Sequence, residues 1–210
     1  MIERVEQRIN ASEIDLGKEP FILDTEIKDL LLIRRPRYQD DRGAFQEHVR
    51  IPDIEERICR KVKILQEQHS YTRPGVLRGI HAEPQDKIIT PLTGRMVSVV
   101  VDLRVESDTF GEWIMIKFDN NFETNQTTTL FVPEGMGNSF CVFTKDGDTG
   151  NGTVIYNYAV TGVYNSKEAG MGIRYDDPKL AISWPIPSPQ VSERDLNLPS
   201  FDEFVRKYRK

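Results

Sequence analysis

The sequence predicts an all-β domain, a β-sandwich or jelly-roll barrel edged by short peripheral helices. Three observations carry that expectation. Short runs of β-branched and aromatic residues recur along the chain. Clusters of Gly, Pro, Asn and Asp separate them. Helical periodicity is confined to two brief stretches.

Residues 1–25 show no clear period and read as an N-terminal arm; residues 26–210 read as one domain. DLLLIRRPRY is apolar, then basic, then broken by Pro36. In DDRGAFQEHV, Gly43 supplies a bend, and Phe45, Glu47 and Val49 share one face by period-2 alternation. IPDIEERIC is the one helical stretch before mid-chain, and VKILQEQHSY alternates again. KIITPLTGRMVSVVVDLR is a strand pair turning at Thr93-Gly94, with a β-branched run from Val97 to Val101. GEWIMIKF and TTTLFVPEG are two further strands; the loop KDGDTGNG precedes TVIYNYAV. At the C-terminus, Asp202 and Glu203 near its start and basic residues at its end suit a helix dipole. Phe201, Phe204, Val205 and Tyr208 form its docking stripe.

A chain of 210 residues can bury one sizeable core or at most two small ones. A net charge of −5 and a pI near 5.4 argue against nucleic acid or a membrane surface as the main partner. No apolar run approaches the roughly 20 residues of a membrane helix. The polar, acidic N-terminus is unlike a signal peptide. Cys59 and Cys141 make no disulfide framework and read as two buried thiols in a soluble, cytoplasmic protein.

The chemistry-bearing residues are few. His48, His69 and His81 are twelve or more positions apart, with no H-x-H, H-E-x-x-H or C-x-x-C, so no metal site is advertised. No GxGxxG or P-loop indicates a nucleotide cofactor or an NTP. Acid–base chemistry remains. His81, in PGVLRGIHAEP, is either a general base or a core histidine with a satisfied hydrogen bond. Tyr156 and Tyr158 share a strand parity, as candidate acids or as ordinary amphipathic strand residues. Lys87 lies either inside the barrel, where it needs negative charge, or on the outer surface.

Eight segments then stand in a specific order: DDRGAFQE (40–47), QEQHS (66–70), GVLRGIH (75–81), VDLRVESDTFGEW (101–113), FVPEGMGNSF (131–140), YDDP (175–178), ISWP (182–185) and SERD (192–195). Together they resemble the dTDP-4-dehydrorhamnose 3,5-epimerase family of nucleotide-sugar epimerases over about residues 26–200. The resemblance implies a cupin-type jelly roll, a homodimer, no cofactor or metal, and a nucleoside-diphosphate-linked 4-keto sugar as substrate. It implies His81 as the base, Asp195 as its partner and Lys87 as the enolate stabiliser. Arg42, Phe45, Glu47, Gln66 and Arg78 match substrate-contacting positions, and Tyr164 would lie near the nucleotide.

Several features resemble the GDP-heptose type more closely. The family tyrosine is Tyr158 if counted back from Tyr164, or Tyr156 if counted back from Tyr175; Y-x-x-A-x-x-G-x-Y favours Tyr156, with Tyr158 beside it. The AEPQD loop before Lys87 is short. Asn138 stands where the family usually has histidine, and Ser98 where it has aspartate, so a charged pair becomes a neutral one. The expected activity is inversion at C3, C5 or both, on a 4-keto-6-deoxy sugar or a 4-keto heptose, in surface-polysaccharide synthesis. A 3,4-ketoisomerase and a silent nucleotide-sugar binder are the alternatives. GVLRGIH and SERD count against the first, and the presence of His81, Lys87, Tyr156 and Asp195 against the second.

Overall fold

The computed structural model describes residues 6–10, 21–120, 126–144, 152–163 and 171–209. Its strands are β1 (Glu6–Asn10), β2 (Ile22–Asp24), β3 (Leu31–Asp40), β4 (Gly43–Gln46), β5 (Gln66–Thr72), β6 (Leu77–His81), β7 (Lys87–Pro91), β8 (Gly94–Asp102), β9 (Trp113–Asn120), β10 (Gln126–Val132), β11 (Met136–Val142) and β12 (Val154–Val160). The helices are α1 (Ile51–Ile58), α2 (Glu193–Leu196) and α3 (Phe201–Tyr208).

Two sheets face each other. One runs β1-β9-β8-β11-β6; the other runs β2-β3-β10-β7-β12-β5, with β4 also on β3. Among the described strands, the pairings are antiparallel except that of β1 with β9. This is the cupin-type jelly roll with few, short helices. The pairings of β1 and β2 lie within the stretch read from sequence as an arm.

Three apolar layers explain why the central strands read as unbroken apolar runs. Met96, Val100, Ile116, Leu130, Phe140 and Tyr156 fill the space between the sheets. Val97, Val99 and Val101, the other parity of β8, face outward and are covered by Phe201 and Phe204 of α3. On the opposite side, Leu31, Ile33 and Phe131 are covered by Ile54 of α1 and by Val62. Strands buried on both faces have no polar parity to show.

The helix ends follow local rules. Pro52 is at the first turn of α1. Ser200 and Glu203 form a reciprocal capping box at α3. The expectation of two buried thiols holds only for Cys141; Cys59 is exposed, because it closes α1 in a left-handed conformation at the surface. Phe45 is in β4, but that strand ends at Gln46, so Glu47 falls outside it. No described helix is long and apolar enough to cross a membrane.

Candidate active site

The loop after β6 carries the chain from one sheet to the other, as does the segment between β11 and β12. Between those sheets opens a cavity of about 380 Å3, within the size range of small-molecule sites. His81, Lys87, Asp195, Tyr156, Arg78, Asn138 and Tyr158 all line it.

His81 ends β6 and remains partly open to the cavity, with 22% of its side chain exposed. Its Nε2 is 2.6 Å from Asp195 Oδ1, across 114 positions of sequence. An ionised carboxylate only accepts, so Nε2 carries a proton, and in the neutral ring Nδ1 keeps its lone pair. Asp195 is buried on the short helix α2, where its own N–H donates to the capping Ser192 hydroxyl at 3.1 Å. Its second oxygen accepts from the Gly79 N–H at 3.3 Å. Burial raises the Asp195 pKa, but the hydrogen bond and charge of His81, with Gly79 and Ser192, outweigh it and hold the carboxyl below the ordinary aspartate value.

Gly79 is required by more than its N–H. Its φ is +116°, and a Cβ there would stand 2.6 Å from Ser139 Cβ. The register between β6 and β11 shifts at that point, between Asn138 and Phe140. Such irregularities re-aim side chains beside functional sites.

Tyr156 is buried on β12, stacked on Phe140 at 4.0 Å between ring centroids. Its hydroxyl meets the Asn138 amide, with Nδ2 at 3.1 Å. Burial pushes the phenol pKa well above its usual value; Asn138 pulls it back, while Tyr158 and Glu83 add to the rise. Tyr158 is only half-buried, with its ring 5.7 Å from that of Tyr156. Ser98, the other neutral position, donates to the Ser139 carbonyl at 3.0 Å.

Lys87 opens β7 and points inward: its side chain is 5% exposed, and its Nζ is 2.7 Å from Glu83 Oε2. Arg78, which donates to Thr72 Oγ1, is exposed, as is Arg194 of α2. The cavity thus gathers three cations, Arg78, Lys87 and Arg194, against the carboxylates Glu83 and Asp195. That balance suits an anionic ligand.

Arg42, Phe45, Glu47 and Gln66 do not line this cavity. Arg42 pairs with Asp40 on the exposed β3–β4 turn, and Phe45 is 71% exposed there. Glu47 bridges Arg35 and Arg50. Gln66 hydrogen-bonds to Gln68, which does line the cavity. Tyr164 lies outside the described residues. Sequence reasoning missed Glu83, Arg194 and Phe140. For Arg194 the signal was at hand, one position before Asp195 in SERD; Glu83 reads as an ordinary loop acid. Among the described residues, no three His, Cys, Asp or Glu side chains cluster to hold a metal ion.

Comparison with known proteins gives one answer at two levels. The model of the family described as dTDP-4-dehydrorhamnose 3,5-epimerase matches residues 24–203. The dTDP-4-dehydrorhamnose 3,5-epimerase of Shigella flexneri is 33% identical over 180 residues, covering 84% of this chain and 93% of its own. Among solved structures, a 4-keto-6-deoxy sugar epimerase from the novobiocin biosynthetic gene cluster of Streptomyces spheroides superposes with a TM-score of 0.79 at 28% identity, covering 92% of this chain and 93% of that one. The dTDP-6-deoxy-D-glucose-3,5-epimerase of Legionella pneumophila, in complex with dTDP-4-keto-L-rhamnose, gives 0.75 at 29% identity, covering 86% and 92%.

Proposed function

Because the chain belongs to the dTDP-4-dehydrorhamnose 3,5-epimerase family, and is thus an isomerase of nucleotide-sugar biosynthesis, we propose that it inverts C3, C5 or both in a nucleoside-diphosphate-linked 4-keto sugar through an enolate. The sugar is a 4-keto-6-deoxy hexose or a 4-keto heptose. The C4 ketone acidifies the protons on its neighbouring carbons. His81 Nδ1 removes one of them, because Nε2 is committed to Asp195. The Lys87 ammonium balances the charge gathering on the enolate oxygen. The Tyr156 hydroxyl delivers a proton to the opposite face, and the carbon inverts. Exchange with solvent returns His81 and Tyr156 to their starting protonation.

The reading rests on one observation: the His81–Asp195 pair, the Tyr156 hydroxyl and the Lys87 ammonium, brought from three strands and a helix, open onto the same cavity. Arg78 and Arg194, exposed at its edge, would clamp the diphosphate, since guanidinium forks bind oxygens in pairs. The exposed β3–β4 hairpin supports a homodimer. Its Arg42, paired with Asp40, and its Phe45 do not line this cavity, and both stand exposed where the nucleotide bound by a second copy could meet them.

The test is conversion of dTDP- and GDP-linked 4-keto sugars, hexose and heptose, read as configuration at C3 and C5. Inversion of at least one substrate is expected. Binding without inversion of any of them would overturn the reading.

A further inference from the structure

A lysine inside a barrel needs a counter-charge, and residue spacing alone does not reveal which residue supplies it. Among the described residues it is Glu83, half-buried in the short turn between β6 and β7 and four positions before Lys87. That turn is tied at both ends. The Ala82 N–H donates to the Met171 carbonyl at 3.1 Å. The Asp86 carboxylate takes both Arg60 nitrogens at 2.6 Å and the Glu134 N–H at 3.0 Å. Between them, Pro84 fixes one φ, and the Gln85 side chain packs against Gly162, where a Cβ would be 2.5 Å from its Oε1. Glu83 is thereby presented to the ammonium by a braced loop.

We propose that Glu83 is a positioning residue: its carboxylate pins the Lys87 ammonium in place, charged, with its remaining N–H groups available to the substrate's C4 oxygen. The inference rests on the reading of Lys87 as the enolate stabiliser. An ammonium has three donors, so the one given to Glu83 leaves two for substrate. The other groups facing the cavity do not substitute for Glu83. Arg78 on β6 and Arg194 on α2 are cations, Tyr156 and Tyr158 on β12 are neutral phenols, and Asp195 is engaged by His81. Without Glu83, the buried ammonium loses the acceptor that fixes its direction.

The experiment reads the Lys87 side chain by NMR at one pH in protein carrying 13C-labelled lysine, with the signal assigned by its loss in Lys87→Arg. A pinned ammonium holds the two protons on Cε in different surroundings, so their shifts stand apart. In Glu83→Gln the two shifts should merge toward that of a mobile lysine, and kcat should fall by about tenfold or more while KM changes little. Glu83→Asp, which keeps the charge, should restore most of the separation. If the Gln variant does not fold, Glu83→Ser takes its place with the same expectation. Unchanged Cε proton shifts in the neutral variant would overturn the proposal. The spectrum is read without turnover. A protein inactive on every sugar would therefore sink the proposed reaction and leave the Glu83–Lys87 result standing.

Discussion

Asn138 donates its amide N–H to the Tyr156 hydroxyl at 3.1 Å, and Asn138 is also the cross-strand partner of His81. One neutral side chain thus links the proposed acid to the strand that carries the proposed base. Where a histidine and aspartate would bring charge, Asn138 and Ser98 bring hydrogen bonds alone.

Asn138→Leu removes the polar contact that opposes the burial of the phenol. Inversion should slow by about tenfold or more, while proton removal by His81 continues. Stopped-time NMR of wash-in and inversion on the same sample separates the two. Equal slowing of both would show that Asn138 acts on the whole pocket rather than on Tyr156.

Asp195→Asn leaves the geometry nearly intact but takes away the acceptor that fixes the Nε2–H tautomer of His81. An amide can offer N–H to the ring and favour the wrong tautomer. A loss of about 10⁴-fold in kcat is expected, by analogy with other carboxylate–histidine pairs. A variant within tenfold of the native rate would remove Asp195 from the mechanism.

Acid stability has a separate source. Asp102 is fully buried; burial raises its pKa, but hydrogen bonds from Arg104, Ser107 and Thr109 outweigh this and hold it below the usual value. The unfolded chain, with Asp near 3.9, therefore takes up the proton first as pH falls. The stability Asp102 lends is complete above about pH 4 and is lost as pH drops through its lower folded value. Asp102→Asn should melt lower at pH 7 and show a flatter decline below about pH 4. Thermal unfolding scans across that range check it; an unchanged acid slope would contradict it.

Phe204→Ala tests the covering of the outer sheet face. Phe204 is buried against the layer that includes Val97, Val99 and Phe201. A loss of about 3–5 kcal/mol is expected from denaturant unfolding. A loss under about 1 kcal/mol would mean that α3 is not a structural cover.

The strands with strong local patterns were legible in the sequence. Thr93-Gly94 and the β8 valines marked a strand pair, and the amphipathic C-terminal stripe marked α3. β2 and β6 were not. β2 is three residues long, and β6 contains Gly79, which breaks any propensity signal for the sake of a close approach to β11. In the site, His81 and Lys87 stood out as lone residues, but their partners could not be read from spacing. Asp195 is 114 positions from His81, and only the closure of the sandwich joins them. Glu83 is near Lys87 in sequence, but in a turn, where no period relates the two side chains.

The most direct test of the account is wash-in of deuterium from D2O at C3 and C5 of the 4-keto substrate, followed by NMR in the native protein, His81→Asn and Tyr156→Phe. The account expects deuterium at the inverted carbon in the native protein and none in His81→Asn. In Tyr156→Phe, deuterium should still enter while inversion stops. Exchange at the native rate in His81→Asn, or inversion at the native rate in Tyr156→Phe, would contradict it.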